Sequence, residues 1–125
     1  MSGVEILSSR VLVRSCEPER ARAFYRDVLG LAVHREFPGG TVFFLGQGFL
    51  EVSGASAEDP TDATQLWLQV RDLRRAAEQL AEHVVRPARR EPWGLDELWI
   101  ADPDGRRIVL VEVPADHPLR RDRRQ

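Results

Sequence analysis

"EPWGLDELWIADPDGRRIVLVEV", residues 91–113, decides how the rest of the chain is read. Two runs of apolar and polar residues flank Asp102-Pro103-Asp104-Gly105. Pro103-Asp104-Gly105 suits a three-residue hairpin loop, a type I turn followed by glycine at the left-handed bulge position. That loop sets the register: Asp102 pairs with Arg106, and Trp99 lies opposite Val109. Strand alternation then puts Trp99, Arg107, Val109 and Val111 on one face. Leu98, Ile100, Ile108 and Leu110 take the other. The aliphatic face is expected to meet helices, and the face with tryptophan and arginine to border a cavity.

Working outward, "LDELWIAD" and "RRIVLVEV" are the last two strands of a pattern that occurs twice. "RVLVRS" (10–15) is a strand. "CEPERARAFYRDVLGL" (16–31) reads as one helix, with Pro18 in its first turn, Glu17 and Glu19 at its positive end and Gly30 as its stop. Ala21, Phe24, Tyr25, Val28 and Leu29 form its apolar stripe. "LAVHREF" is a strand, "PGG" (38–40) a turn, and "TVFFLG" and "FLEVSG" flank a tight hairpin at Gln47-Gly48, with glycine at a positive φ. "ASAEDPTDAT" (55–64) is the linker. The order then restarts. "QLWLQV" is a strand, and "RDLRRAAEQLAEHV" a helix with Leu73, Ala76, Ala77, Leu80 and Ala81 on one face. "VVRPARR" is a weak, proline-broken edge strand. The repeat is one of pattern, with Arg10 corresponding to Gln65 at a period of 55 residues.

Composition sets the outer limits. A chain of 125 residues, 42% hydrophobic and 30% charged, is one globular domain's worth of sequence. A net charge of −2 gives no electrostatic reason to expect nucleic acid. All 18 basic residues are arginine. No apolar run approaches membrane-spanning length, and no secretory leader is visible at the N-terminus, so a cytoplasmic address is expected and no membrane partner. Cys16, the single cysteine, rules out an internal disulfide.

The βαβββ repeat, with "FYRDVLGL" at 24–31 and "DPDGRRIVLVE" at 102–112, resembles the vicinal oxygen chelate superfamily of glyoxalases, bleomycin-resistance proteins and extradiol dioxygenases. "EPWGLDELWIADPDG" looks most like the antibiotic-binding branch. The resemblance covers about residues 7–113 and implies an α+β fold: two βαβββ modules (about 7–54 and 65–113) forming curved mixed sheets around a cavity. The tail 114–125 lies outside it. It also implies a homodimer, in which modules pair within a chain or between chains.

In metal-dependent members the ligands come from the first and fourth strands of each module, which correspond here to Arg10, Glu51, Gln65 and Val109. Only Glu51 is a strong donor, and Gln65 is a weak one through its carbonyl. A guanidinium has no acceptor atom and an isopropyl group has no donor atom at all. The expectation is therefore no metal and no cofactor, with Arg10 paired to Glu51 where an ion would sit. The alternative is one divalent ion on Glu51 and Gln65. Alternation places Arg10, Leu12, Phe49, Glu51, Gln65, Trp67, Trp99, Arg107 and Val109 toward the cavity, with Trp93 in a loop ahead of the last hairpin. Tryptophan walls with a few polar anchors suit a flat small molecule.

The function expected is metal-independent small-molecule binding, with sequestration of an antibiotic or aromatic metabolite in a dimeric cavity and no catalytic residue. The rivals are a lyase, isomerase or dioxygenase with an atypical site, and an interaction module whose groove takes a peptide. His34 reads as a surface histidine, His83 as a helix end and His117 as part of the tail. No Ser/His/Asp constellation, base beside Cys16 or phosphate loop is found.

Overall fold

The computed structural model describes residues 3–61 and 63–118. The chain divides into two units, Met1–Asp59 and Pro60–Gln125. Linker residue 62 and the end of the basic tail, 119–125, lie outside the described residues.

In the first unit, β1 (Arg10–Val13) leads into α1 (Pro18–Ala23), followed by β2 (Val33–Phe37), β3 (Gly40–Leu45) and β4 (Gly48–Ser53). The sheet runs β1-β4-β3-β2, with β1 parallel to β4 and the other pairs antiparallel. The second unit repeats this. Strand β5 (Leu66–Gln69), helix α2 (Leu73–Gln79) and strands β6 (Val84–Arg90), β7 (Asp96–Ala101) and β8 (Arg107–Glu112) give a sheet in the order β5-β8-β7-β6. The α+β class with two βαβββ modules is the observed architecture. The proline-broken β6 is an edge strand, as its missing N–H requires.

The predicted single helix over 16–31 is two pieces. After α1 the backbone widens into a π-type turn over Phe24–Val28, where Leu29 N donates to Phe24 O at 2.9 Å. The cause lies in two adjacent aromatic residues. The wider turn lets both Phe24 and Tyr25 be buried, edge to face with centroids 5.2 Å apart, and Tyr25 reaches Phe43 of β3. Val28, expected in the apolar stripe, is rotated out to 38% exposure. Each fully buried large apolar side chain contributes about 1.5–3 kcal/mol, so the aromatic pair outweighs one valine. Helix α2 is also shorter than expected and ends in a 3₁₀ turn over Ala81–His83. Leu73, Ala76 and Leu80 are buried, while Ala81 is exposed. Asp72 caps α2 by accepting from Arg75 N at 3.0 Å, and Glu112 of β8 accepts from Leu73 N at 2.8 Å.

The opening stretch folds as read. Asp102 N donates to Arg106 O, Gly105 N donates to Asp102 O, and Gly105 has φ 88°. Trp99 pairs with Val109. Leu98, Ile100, Ile108 and Leu110 are buried on the helix side. One hairpin is shifted by a residue from the prediction. Leu45 pairs with Gly48, so the loop is Gly46-Gln47 rather than Gln47-Gly48, and the positive φ (57°) belongs to Gly46. Positive φ at the first central residue alone is the II′ hairpin turn.

Candidate functional site

Each sheet has one face on its helix and one face turned away from it. In the first unit the away-facing row runs across the sheet through Leu12, Glu51, Val42 and Arg35. Arg10 Nη1 donates to Glu51 Oε1 at 2.7 Å, and Ser53 Oγ donates to Glu51 Oε2 at 2.6 Å. The Ser53 hydroxyl first, and then Arg10, hold the Glu51 carboxyl below the usual glutamate range against the opposing effect of burial; Arg35 adds a smaller push in the same direction. Beside this pair, His34 packs on Phe44 and Phe49 with centroids 4.8 and 4.9 Å apart. Phe44 and Phe49 lie 5.7 Å apart. Leu12 is half exposed.

The second unit repeats the row with different chemistry: Trp67, Val109, Trp99 and Arg86. Val109 takes the place of Glu51, and is buried with Leu95, Val111 and Val113, against which Trp99 packs. The guanidiniums of Arg86 (β6) and Arg107 (β8) lie 4.0 and 4.1 Å from the Trp99 ring centroid. They reach it from the two strands that flank β7. Such cation–π contacts strengthen when desolvated. Arg86 Nη2 donates to Glu97 O at 3.1 Å and lies 2.5 Å from the Glu91 carboxylate, which Arg89 also meets at 3.3 Å. Burial pushes the Glu91 carboxyl up, and the hydrogen bonds from Arg86 and Arg89 outweigh it, so its pKa is lowered. Trp93 Nε1 donates to Glu97 Oε2 at 2.8 Å, and His117 Nε2 lies 3.1 Å from Trp93 O.

Most of the expected residues therefore fall into two groups. Arg10, Leu12, Phe49 and Glu51 share the first sheet's away-facing side, and Trp67, Trp99, Arg107 and Val109 share the second's. Trp93, 59% exposed, is tied to β7 through Glu97. Gln65 lies just ahead of β5 and is exposed. Trp67, 48% exposed, presents an open indole, whereas the Trp99 ring is already covered by two guanidiniums.

Five contributors were missed. Glu97 has the parity of Trp99, so alternation alone could have found it. Phe43 and Phe44 point to opposite sides, and only the packing of Phe43 on Tyr25 decides that Phe44 faces away. A register shift between Val33 and Arg35 breaks the alternation that would have placed His34. Shifts on both sides of Arg86 hide that residue, and Glu91 is brought in by its loop.

The four positions that the resemblance matches to metal ligands carry a donor set that fits a metal ion poorly. The one strong donor, Glu51, is held by a guanidinium and a hydroxyl, Arg10 adds positive charge, and Val109 sits in an apolar cluster. Among the described residues no three His, Cys, Asp or Glu side chains gather in a way that could hold a metal ion.

Residues 8–110 match the Glyoxalase/Bleomycin resistance protein/Dioxygenase superfamily. The chain belongs to that superfamily. Solved structures agree on the fold. A glyoxalase-related enzyme from Fulvimarina pelagi superposes with TM-score 0.72 at 19% identity, covering 90% of this chain and 91% of its own. A glyoxalase/bleomycin resistance protein/dioxygenase from Nocardioides gives 0.73 at 17%, covering 94% and 90%. Lactoylglutathione lyase from Agrobacterium tumefaciens gives 0.65 at 21%, covering 88% and 95%. No curated protein matches significantly. Among the described residues no helix is long and apolar enough to cross a membrane.

Proposed function

We propose that this superfamily member is a cytoplasmic homodimer that binds a flat, aromatic small molecule without a metal, and that its role is capture of an antibiotic or aromatic metabolite. The observation that carries this reading is the Arg10–Glu51 contact of 2.7 Å. The carboxylate that would serve a metal is neutralised by a covalently supplied cation. The supporting residues are the open indole of Trp67, the ring cluster of His34, Phe44 and Phe49, and arginine anchors on both sheets. Flat ligands gain contact area and offset stacking from such walls.

Titration of tryptophan emission with a panel of planar aromatic compounds, antibiotics included, tests the proposal. Saturable quenching that weakens in Trp67→Ala supports it; no response across the panel counts against it. The rival is an enzyme that uses Glu51 with Gln65 on a displaced metal, and the survival of Glu51 is the one feature in its favour. Lactoylglutathione lyase activity belongs to the Agrobacterium structure, and the inherited donor set here argues against carrying it over.

A further inference from the structure

On the second sheet's away-facing side, the buried polar atoms without partners among the described residues are all donors. They are Trp99 Nε1, Arg86 Nε and Arg86 Nη1. Buried donors without acceptors keep a desolvation penalty that a partner would remove, and each calls for a physical explanation. The carboxylates nearby are already engaged: Glu91 by Arg86 and Arg89, Glu97 by the Trp93 indole. The surplus is of donors, which an anionic acceptor satisfies best, and it lies beside the apolar floor of Leu95, Val109, Val111 and Val113.

We propose that this patch is the subsite for a carboxylate carried on a flat aromatic ligand, with Trp99 Nε1 and Arg86 as its donors. The proposal rests on the small-molecule reading above and narrows the ligand to an aromatic acid. Glu91 and the Glu97 carbonyl hold Arg86 Nη2 in place, so the guanidinium is oriented before the ligand arrives. Arg107 reaches the Trp99 ring from β8 at 4.1 Å with a partly exposed side chain. Its displacement exchanges a guanidinium on the indole for the ligand's ring and leaves a second cation at the carboxylate. Glu97 is the opposing charge, and one of its oxygens is engaged by the Trp93 indole N–H.

The test compares 1-naphthoate with 1-naphthamide on the full-length protein. The amide keeps the ring and an oxygen acceptor but has no charge. Calorimetry should show naphthoate binding about tenfold or more tighter, the range expected when hydrogen bonds go to a charged acceptor. The Trp99 indole N–H resonance, one of three from Trp67, Trp93 and Trp99, should move further downfield with naphthoate than with naphthamide. Trp99→Phe keeps the ring and removes the donor. It should weaken naphthoate more than naphthamide and so narrow the preference for the acid, the remainder being held by Arg86, because a hydrogen bond to a charged acceptor is worth more than one to a neutral acceptor. Equal affinity for the two probes with an unmoved Trp99 resonance would overturn the carboxylate subsite and leave small-molecule binding standing. Binding of neither probe would also overturn the subsite, while the panel titration decides small-molecule binding separately.

Discussion

Asp102 is the side chain on which the last hairpin most depends, and replacing it with alanine gives a test with a size. Its side chain is fully buried and accepts from Asp104 N and Arg106 N, each at 2.9 Å, and from Arg106 Nη1 at 2.5 Å. Asp102→Ala strands both backbone donors and leaves the Arg106 guanidinium, 16% exposed, without this carboxylate. Removing one partner of a buried charge pair costs about 3–5 kcal/mol. The lower end applies, because the Arg106 head can turn toward water. With an unfolding entropy of about 2.1 cal/mol/K per residue, the 125-residue chain loses about 4 °C of melting temperature per kcal/mol. Asp102→Ala should therefore melt about 12 °C below the parent in a circular-dichroism thermal scan, with an unchanged native spectrum at low temperature. A drop under about 4 °C, roughly 1 kcal/mol on the same conversion, would refute the argument that this turn is held by charge and buried hydrogen bonds.

Further outcomes follow from the same geometry. Gly46→Ala should destabilise by about 1–2 kcal/mol, the cost of a Cβ in the left-handed region, whereas Gly48→Ala should change stability by less than about 0.5 kcal/mol, the usual limit for a surface site; urea denaturation of the two variants distinguishes a Gly46-Gln47 turn from a Gln47-Gly48 one. Glu51 titrates below the ordinary glutamate value, so its contribution to stability is present above that value and is lost as pH falls through its own lower pKa. Ser53→Ala and Arg10→Ala should each raise the Glu51 pKa, read by carboxyl carbon shifts against pH; no rise in either variant would remove that partner from the account. In both variants the stability deficit should be full at neutral pH and should vanish in acid.

The parts of the fold that could be read from the chain are those fixed by local chemistry. Asp102 to Gly105 dictates a three-residue loop, the loop dictates register, and register puts Trp99 beside Val109 and separates Leu98 and Ile100 from them. The pairing of Arg10 with Glu51 was legible once the resemblance put both at one ligand site, since two opposite charges brought together there are better paired. The parts that could not be read depend on tertiary competition. Phe24 and Tyr25 both reach the core only because the helix widens there. His34 and Arg86 stand next to register shifts, so parity does not carry through them: for His34 the counts from the two ends disagree, and for Arg86 both give the wrong face. The Arg86–Glu91 pair joins an irregular edge strand to a loop, a contact with no local spacing rule.

The central proposal is that the positions matching the superfamily's ligand sites hold no metal ion, and metal content tests it directly. Protein prepared without chelator, offered zinc, nickel, iron and manganese and then dialysed, should retain only trace metal by mass spectrometry, in wild type and Glu51→Gln alike. A stoichiometric ion retained by wild type and lost in Glu51→Gln would contradict the account.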